Sequence, residues 1–285
     1  KHLMALFLYT VASLIVSYTS YLLFNNLLPK FIKYIDTLNS DLIGDKSSIY
    51  ETFWKNEISD FEKDHHAQNI VSWLHAVVSS ILSIFCIVEV LNQVSTQFFQ
   101  QEIIMGVSTP LRTAALEVTL GYFISDTIIF FHQFKHHEFL TVLHHLVIIP
   151  SYIACIYYEC GTLSMIAFQT NEITNILLHI RYFLKQWKAT TGVFWNLLNL
   201  VFAISFFWLR IVPDTFVFYC IITGMLEYSS PSPLWVQTLL IVGGILYCFV
   251  QYAWMSMITK MFVYKLTNLY NAIMKGPTND NKKNN

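Results

Sequence analysis

The stretch from Gly121 to Ile180, GYFISDTIIFFHQFKHHEFLTVLHHLVIIPSYIACIYYECGTLSMIAFQTNEITNILLHI, contains three apolar runs, each with ionisable residues inside it. A charged side chain at bilayer depth costs at least ~2.5–3.5 kcal/mol on insertion scales, so Asp126, His144, His145 and Glu172 need partners or a task there. Apolar runs of this length read as membrane-spanning helices, because only helices satisfy every backbone polar group within one segment. The expected fold is therefore all-α and polytopic, and function is to be sought where the ionisable groups converge.

Composition agrees. Of the 285 residues, 55% are hydrophobic, 16% aromatic and only 12% charged, and the mean hydropathy is +0.49, which is the profile of a multi-span membrane protein. Lys and Arg together number 17 against 18 for Asp and Glu. No basic surface exists to neutralise a run of phosphates, which sets nucleic acid aside as a partner. Cys86, Cys155, Cys160, Cys220 and Cys248 lie in or beside apolar runs without metal-type spacing and read as buried free thiols.

Outward from the central stretch, the chain divides into a first transmembrane helix over 1–28, a polar extramembrane segment over 29–69, a helical core over 70–265 and a polar tail over 266–285. Spans are expected at Leu3–Leu28, Ile70–Leu91, Thr113–His132, Phe139–Tyr158, Gly161–Leu184, Val193–Leu226 and Pro233–Phe262. Pro150 is expected to kink the fourth. The piece Phe216–Leu226 reads as the continuation of a bent sixth span past Pro213. Charge supports seven spans: Lys30, Lys33, Lys135, Lys185, Lys188, Lys260 and Lys265 then share one side, whereas an eighth crossing would split them. That basic side is the cytosol for an endoplasmic-reticulum or plasma-membrane protein and the matrix for a mitochondrial inner-membrane one.

At ~1.5 Å per helical residue, His75 lies roughly 8 Å in from the basic side, with His144 and His145 at similar depth. Asp126 and His179 fall in the same layer and Glu172 nearer the midplane, as for a polar cavity opening toward the basic side. Four uses fit such a layer. A hydrogen-bonded network could simply fix helix packing. A histidine, His144 or His145, could act as general base on a hydroxyl or amine, oriented by Asp126 or Glu172, with acyl-CoA as the cosubstrate entering from the basic side. His132, His136 and His137 together with His144 and His145 could ligate iron, though only ten histidines are present and no third box follows. The cavity could also hold a lipid or another subunit with no chemistry at all. No metal or bound cofactor is expected. His65 and His66 read as a solvated pair on a charged segment, and Arg210 as a far-face residue that snorkels or meets a carboxylate.

The pattern resembles the TLC-domain family, which includes ceramide synthases, the translocating-chain-associated protein and small lipid-homeostasis membrane proteins. The resemblance rests on Ser72 and His75 in VSWLHAVVSS, Gly121, Tyr122 and Asp126 in GYFISD, and His144 and His145 in VLHHLVIIPSY. It continues through Glu172 and Arg181 in NEITNILLHIRYFL to Asn196, Phe206 and Arg210, covering Ile70–Phe262. It implies six core helices around a lipid-accessible cavity with one extra span in front, lined by His75, Glu172, Asn175, His179, Asn196 and Arg210. The stretch AFQTNEITN lacks the further Asp that synthases carry after the double His, so the resemblance is nearer the small members. It implies binding of lipid or acyl chains and control of membrane lipid composition, with acyl transfer as an enzymatic form; membrane lipids would be its partners. The alternative is a noncatalytic subunit of a larger membrane complex that uses the bundle as scaffold.

Overall fold

A computed structural model describes residues 60–93, 108–132, 139–187, 189–190, 192–227 and 232–275, and isolated helical positions at 11, 12, 15, 16, 19, 27 and 30. The expected first span, most of the polar segment and the tail lie outside the described residues. The elements among the described residues are α1 Asp60–Gln93, α2 Pro110–His132, α3 Phe139–Tyr158, α4 Thr162–Gln169, α5 Glu172–Gln186, α6 Gly192–Phe206, α7 Val212–Glu227 and α8 Leu234–Lys275. No strand occurs among the described residues. The segments 66–92, 139–158, 192–224 and 234–264 are each long and apolar enough to cross a membrane. The protein is an all-α integral membrane protein.

The helices close into a ring. α1 packs on α2 and α5, α2 on α3, α3 on α8, α8 on α7, and α6 on α5, while α4 lies inside against α1, α2 and α7. The reason is legible in α1. Its buried stripe Ala76, Ser79, Ser80, Ser83 lets the neighbouring backbones come close, and Ser79 Oγ meets Thr119 Oγ1 of α2 at 3.3 Å. Leu74, Val78, Ile81, Phe85 and Val88, at helical spacing on the other face, point outward.

α1 begins about ten residues before its apolar run, and from His66 onward the polar residues that precede that run have partners. Gln68 Nε2 donates to Asp126 Oδ1 at 2.9 Å, His179 Nδ1 meets Asn69 Oδ1 at 3.1 Å, and His66 bonds the Tyr182 hydroxyl. His66 is thus buried, not solvated. α2 starts at Pro110, which suits the first helical position, and Thr109 Oγ1 caps it by accepting from Arg112 N.

The fifth span is broken. Thr170 and Asn171 form a tight turn with i→i+3 bonds (Thr170 N to Ala167 O, Asn171 N to Phe168 O, Ile173 N to Thr170 O), separating α4 from α5. The sixth is continuous but not regular: α6 runs through a π-helical turn, Phe207–Ile211, into α7. Pro213 has no N–H to give and its ring crowds the preceding turn, and the wider turn just before it accommodates that loss without ending the helix.

Candidate functional site

The broken fifth span and the π turn face each other. Arg210, on the π turn and only 4% exposed, reaches into the break: Nη2 donates to Asn171 O at 3.0 Å and also to Asn175 Oδ1, Nε donates to Thr174 Oγ1, and Nη1 donates to Gln251 Oε1 at 3.3 Å. Asn171 O, in the tight turn, also accepts from Thr174 N at 3.0 Å and from Thr174 Oγ1 at 2.8 Å, and Arg210 on the π turn adds a further donor to it. Arg210 therefore lies at the centre of the bundle instead of the far face expected for it.

One turn on, Asp214 (2% exposed) accepts from Asn171 Nδ2 with both carboxylate oxygens, at 2.9 and 2.8 Å, and the same amide nitrogen lies 2.6 Å from the Tyr247 hydroxyl. Asn175 Nδ2 donates to Glu172 Oε2 at 2.8 Å. The Thr170–Asn171 turn, α5, the π turn, α7 and α8 thus contribute to one buried polar cluster holding one guanidinium and two carboxyl groups.

This cluster forms one end of a cleft of about 830 Å³, its open mouth included. His144, Gln169, Asn171, Glu172, Arg210 and Tyr247 line the polar end, and Phe123, Val147, Ile148, Met165, Phe168, Ile221 and Leu240 form apolar walls. The lining continues to Cys160, Gly161 and Ser232 at the α3–α4 turn, remote from Lys185 at the end of α5. The described cleft therefore extends away from the basic side, the reverse of the sequence expectation. Packed rings fill the basic end instead: His75 stacks on Tyr122 with centroids 3.8 Å apart and planes within 8°, and His144 meets Trp254 at 5.4 Å with the planes tilted by 58°.

The paired histidines part company. His144 lines the cleft, and its buried Nδ1 has no hydrogen bond among the described residues. His145 faces the other way, with Nδ1 2.7 Å from Thr127 Oγ1 and Nε2 3.4 Å from Asp126 Oδ2. Phe123 stands edge-on to both rings at 5.8 and 5.5 Å, as a partition between them. Asp126 also accepts from Gln68 and belongs with His145 to a packed seam of α1, α2 and α3. The expected site residues accordingly fall into two groups. His144, Glu172 and Arg210 line the cleft, and Asn175 bonds two of them. His75, Asp126, His145 and His179 lie in the packed layer, where Tyr122 Oη also donates to Ser72 Oγ at 2.8 Å.

Asn196 belongs to neither group: it is exposed on the first turns of α6, and Asn199 is the buried residue, accepting from Arg181 Nε at 2.9 Å. Asn171, Asp214, Tyr247 and Gln251 were not singled out from the sequence. Asp214, a carboxylate in an apolar run, was the available signal. The side chains of His132, His136 and His137 lie outside the described residues, and no group of three or more His, Cys, Asp or Glu among those described is placed to hold a metal ion. The five cysteines are free thiols, four of them buried.

This ring around an inner cleft, with its double histidine, suits the family that the sequence resembles, and comparison decides the matter: the TLC-domain model matches residues 66–260. The chain belongs to the TLC-domain family. It is also 27% identical over 169 residues to TLC domain-containing protein 4 A of Dictyostelium discoideum, an alignment that covers 57% of this chain and 63% of that protein. TLC-domain proteins are membrane proteins linked to lipid metabolism, and the matched region contains both the cleft and the packed His145–Asp126 layer.

Proposed function

We propose that this TLC-domain protein binds a lipid or acyl chain in the inner cleft and through it regulates membrane lipid composition. One observation carries the reading: an apolar cleft inside the bundle ends on a buried polar cluster, the form an amphiphile requires. The apolar walls and the polar end give a chain and its head group separate surroundings. Acyl transfer, with acyl-CoA as cosubstrate, would fall to His144 as general base, because His145 is engaged on both ring nitrogens outside the cleft.

A second reading is favoured by the packed layer. His75, Asp126, His145 and His179 are occupied with stacking and hydrogen bonds, as they would be in a bundle kept as scaffold for other membrane subunits. Native mass spectrometry of the gently extracted protein, with release and identification of bound molecules, tests both. The lipid reading expects a lone chain carrying one lipid class at one-to-one stoichiometry, diminished by His144→Ala. A chain found only in a fixed assembly, with no ligand sensitive to His144, would replace that reading with the scaffold.

A further inference from the structure

The polar end of the cleft has a hydrogen-bonding signature that restricts the head group, given the lipid reading above. Gln169 and Asn171 line that end at 2% exposure each, and Gln169 Oε1 and Asn171 Oδ1 have no hydrogen-bond partner among the described residues. The Asn171 orientation is set by chemistry: its nitrogen must face the Asp214 carboxylate, to which it donates twice, so its oxygen points elsewhere. Buried acceptors without donors are costly, and a ligand that donates to them would remove the cost.

The charges around them narrow the donor. Arg210 has five N–H groups, and four are engaged by Thr174, Gln251, Asn171 and Asn175, so no free fork remains for a carboxylate or phosphate. Glu172 at the same end, and Asp214 behind Asn171, oppose an anion further. An ammonium head would share this end with the Arg210 guanidinium, and having no lone pair it could accept neither from the remaining Arg210 N–H nor from His144. A hydroxyl avoids both conflicts. It donates to an amide oxygen and can accept from the remaining Arg210 N–H or from His144, whose Nδ1 is unbonded among the described residues.

We infer that the cleft selects a lipid with a neutral, hydroxyl-bearing head, such as a monoacylglycerol or a long-chain alcohol, seated head-inward at Gln169 and Asn171 with its tail toward the α3–α4 turn.

The test compares three probes of one chain length on the purified full-length protein in detergent: a saturated monoacylglycerol, the matching fatty acid and the matching primary alkylamine, ranked by competition in native mass spectrometry. The monoacylglycerol should bind most tightly, and Gln169→Met should weaken it about tenfold while leaving the other two unchanged. Tighter binding of the amine or the acid overturns the head-group inference and leaves the lipid reading standing. Binding of none of the three removes both. If Gln169→Met does not fold, the ranking on the unaltered protein decides alone.

Discussion

His144 and His145, consecutive in sequence, have ring centroids 5.9 Å apart and planes 56° apart, and they face different surroundings. One helical step turns a side chain by about 100°, and here that step carries the lining from His144 past the edge of the cleft to His145. His144 borders the cleft, and His145 ties α3 to α2 through Thr127 and Asp126.

Single substitutions should therefore separate the two. His145→Ala removes one partner each from Asp126 and Thr127, which keep Gln68 and Phe123 O, and is expected to cost about 1–3 kcal/mol, read as a lower unfolding temperature in detergent. His144→Ala should leave that temperature nearly unchanged and reduce bound lipid. Equal thermal loss in both variants would contradict this division.

Arg210 is a second point of separation between form and charge. Arg210→Lys keeps the cation but removes the planar fork that reaches Thr174, Gln251, Asn175 and Asn171 O together. Arg210→Met also leaves Glu172 and Asp214 without the nearby cation. Both should destabilise, Met by about 3 kcal/mol or more and Lys by less. Protease resistance of membrane preparations, measured for the two side by side, checks the order.

These residues also mark what the sequence reveals. Apolar run length locates α3 at its observed limits and finds the continuity of α6 with α7, because both depend on composition along the chain. Depth along a span likewise places His144, His145 and Asp126 near one level. Depth does not give azimuth, so the His144–His145 division and the outward face of Asn196 were not legible. Nor was the inward turn of Arg210, since it depends on two local departures, the Thr170–Asn171 turn and the π turn, which correct each other only in three dimensions. The direction of the cleft was misread for a related reason: polar residues at the basic end find partners in one another and close that end.

Gly161 joins α3 to α4 at φ 64°, and its position beside the cleft makes it informative. A Cβ there would meet Cys155 Sγ at 3.5 Å, an ordinary contact, so the strain of Gly161→Ala lies in the backbone. About 1 kcal/mol of destabilisation is expected, with Gly161→Asn milder because Asn tolerates the left-handed region better. Thermal unfolding of the two variants tests the order.

Gly244 allows a closer test of the ring itself, because there a helix backbone takes the place of a side chain. A Cβ on Gly244 would lie 2.5 Å from Cε2 and 2.6 Å from Cδ2 of Phe218, so the α7 ring rests directly on α8. Gly243, the next residue, faces α3, and its Cβ would meet Ser151 Oγ at 3.3 Å and Val147 Cγ1 at 3.4 Å, a contact that small shifts relieve. Gly244→Ala should therefore destabilise by about 1–3 kcal/mol and Gly243→Ala by clearly less. Phe218→Leu opens the space that the new methyl needs, so the double variant Gly244→Ala with Phe218→Leu should recover much of the loss, a coupling of about 0.5–3 kcal/mol. Unfolding temperatures of the two single variants and the double, at one detergent concentration, give that coupling, and strict additivity would mean that α7 and α8 do not meet at this contact.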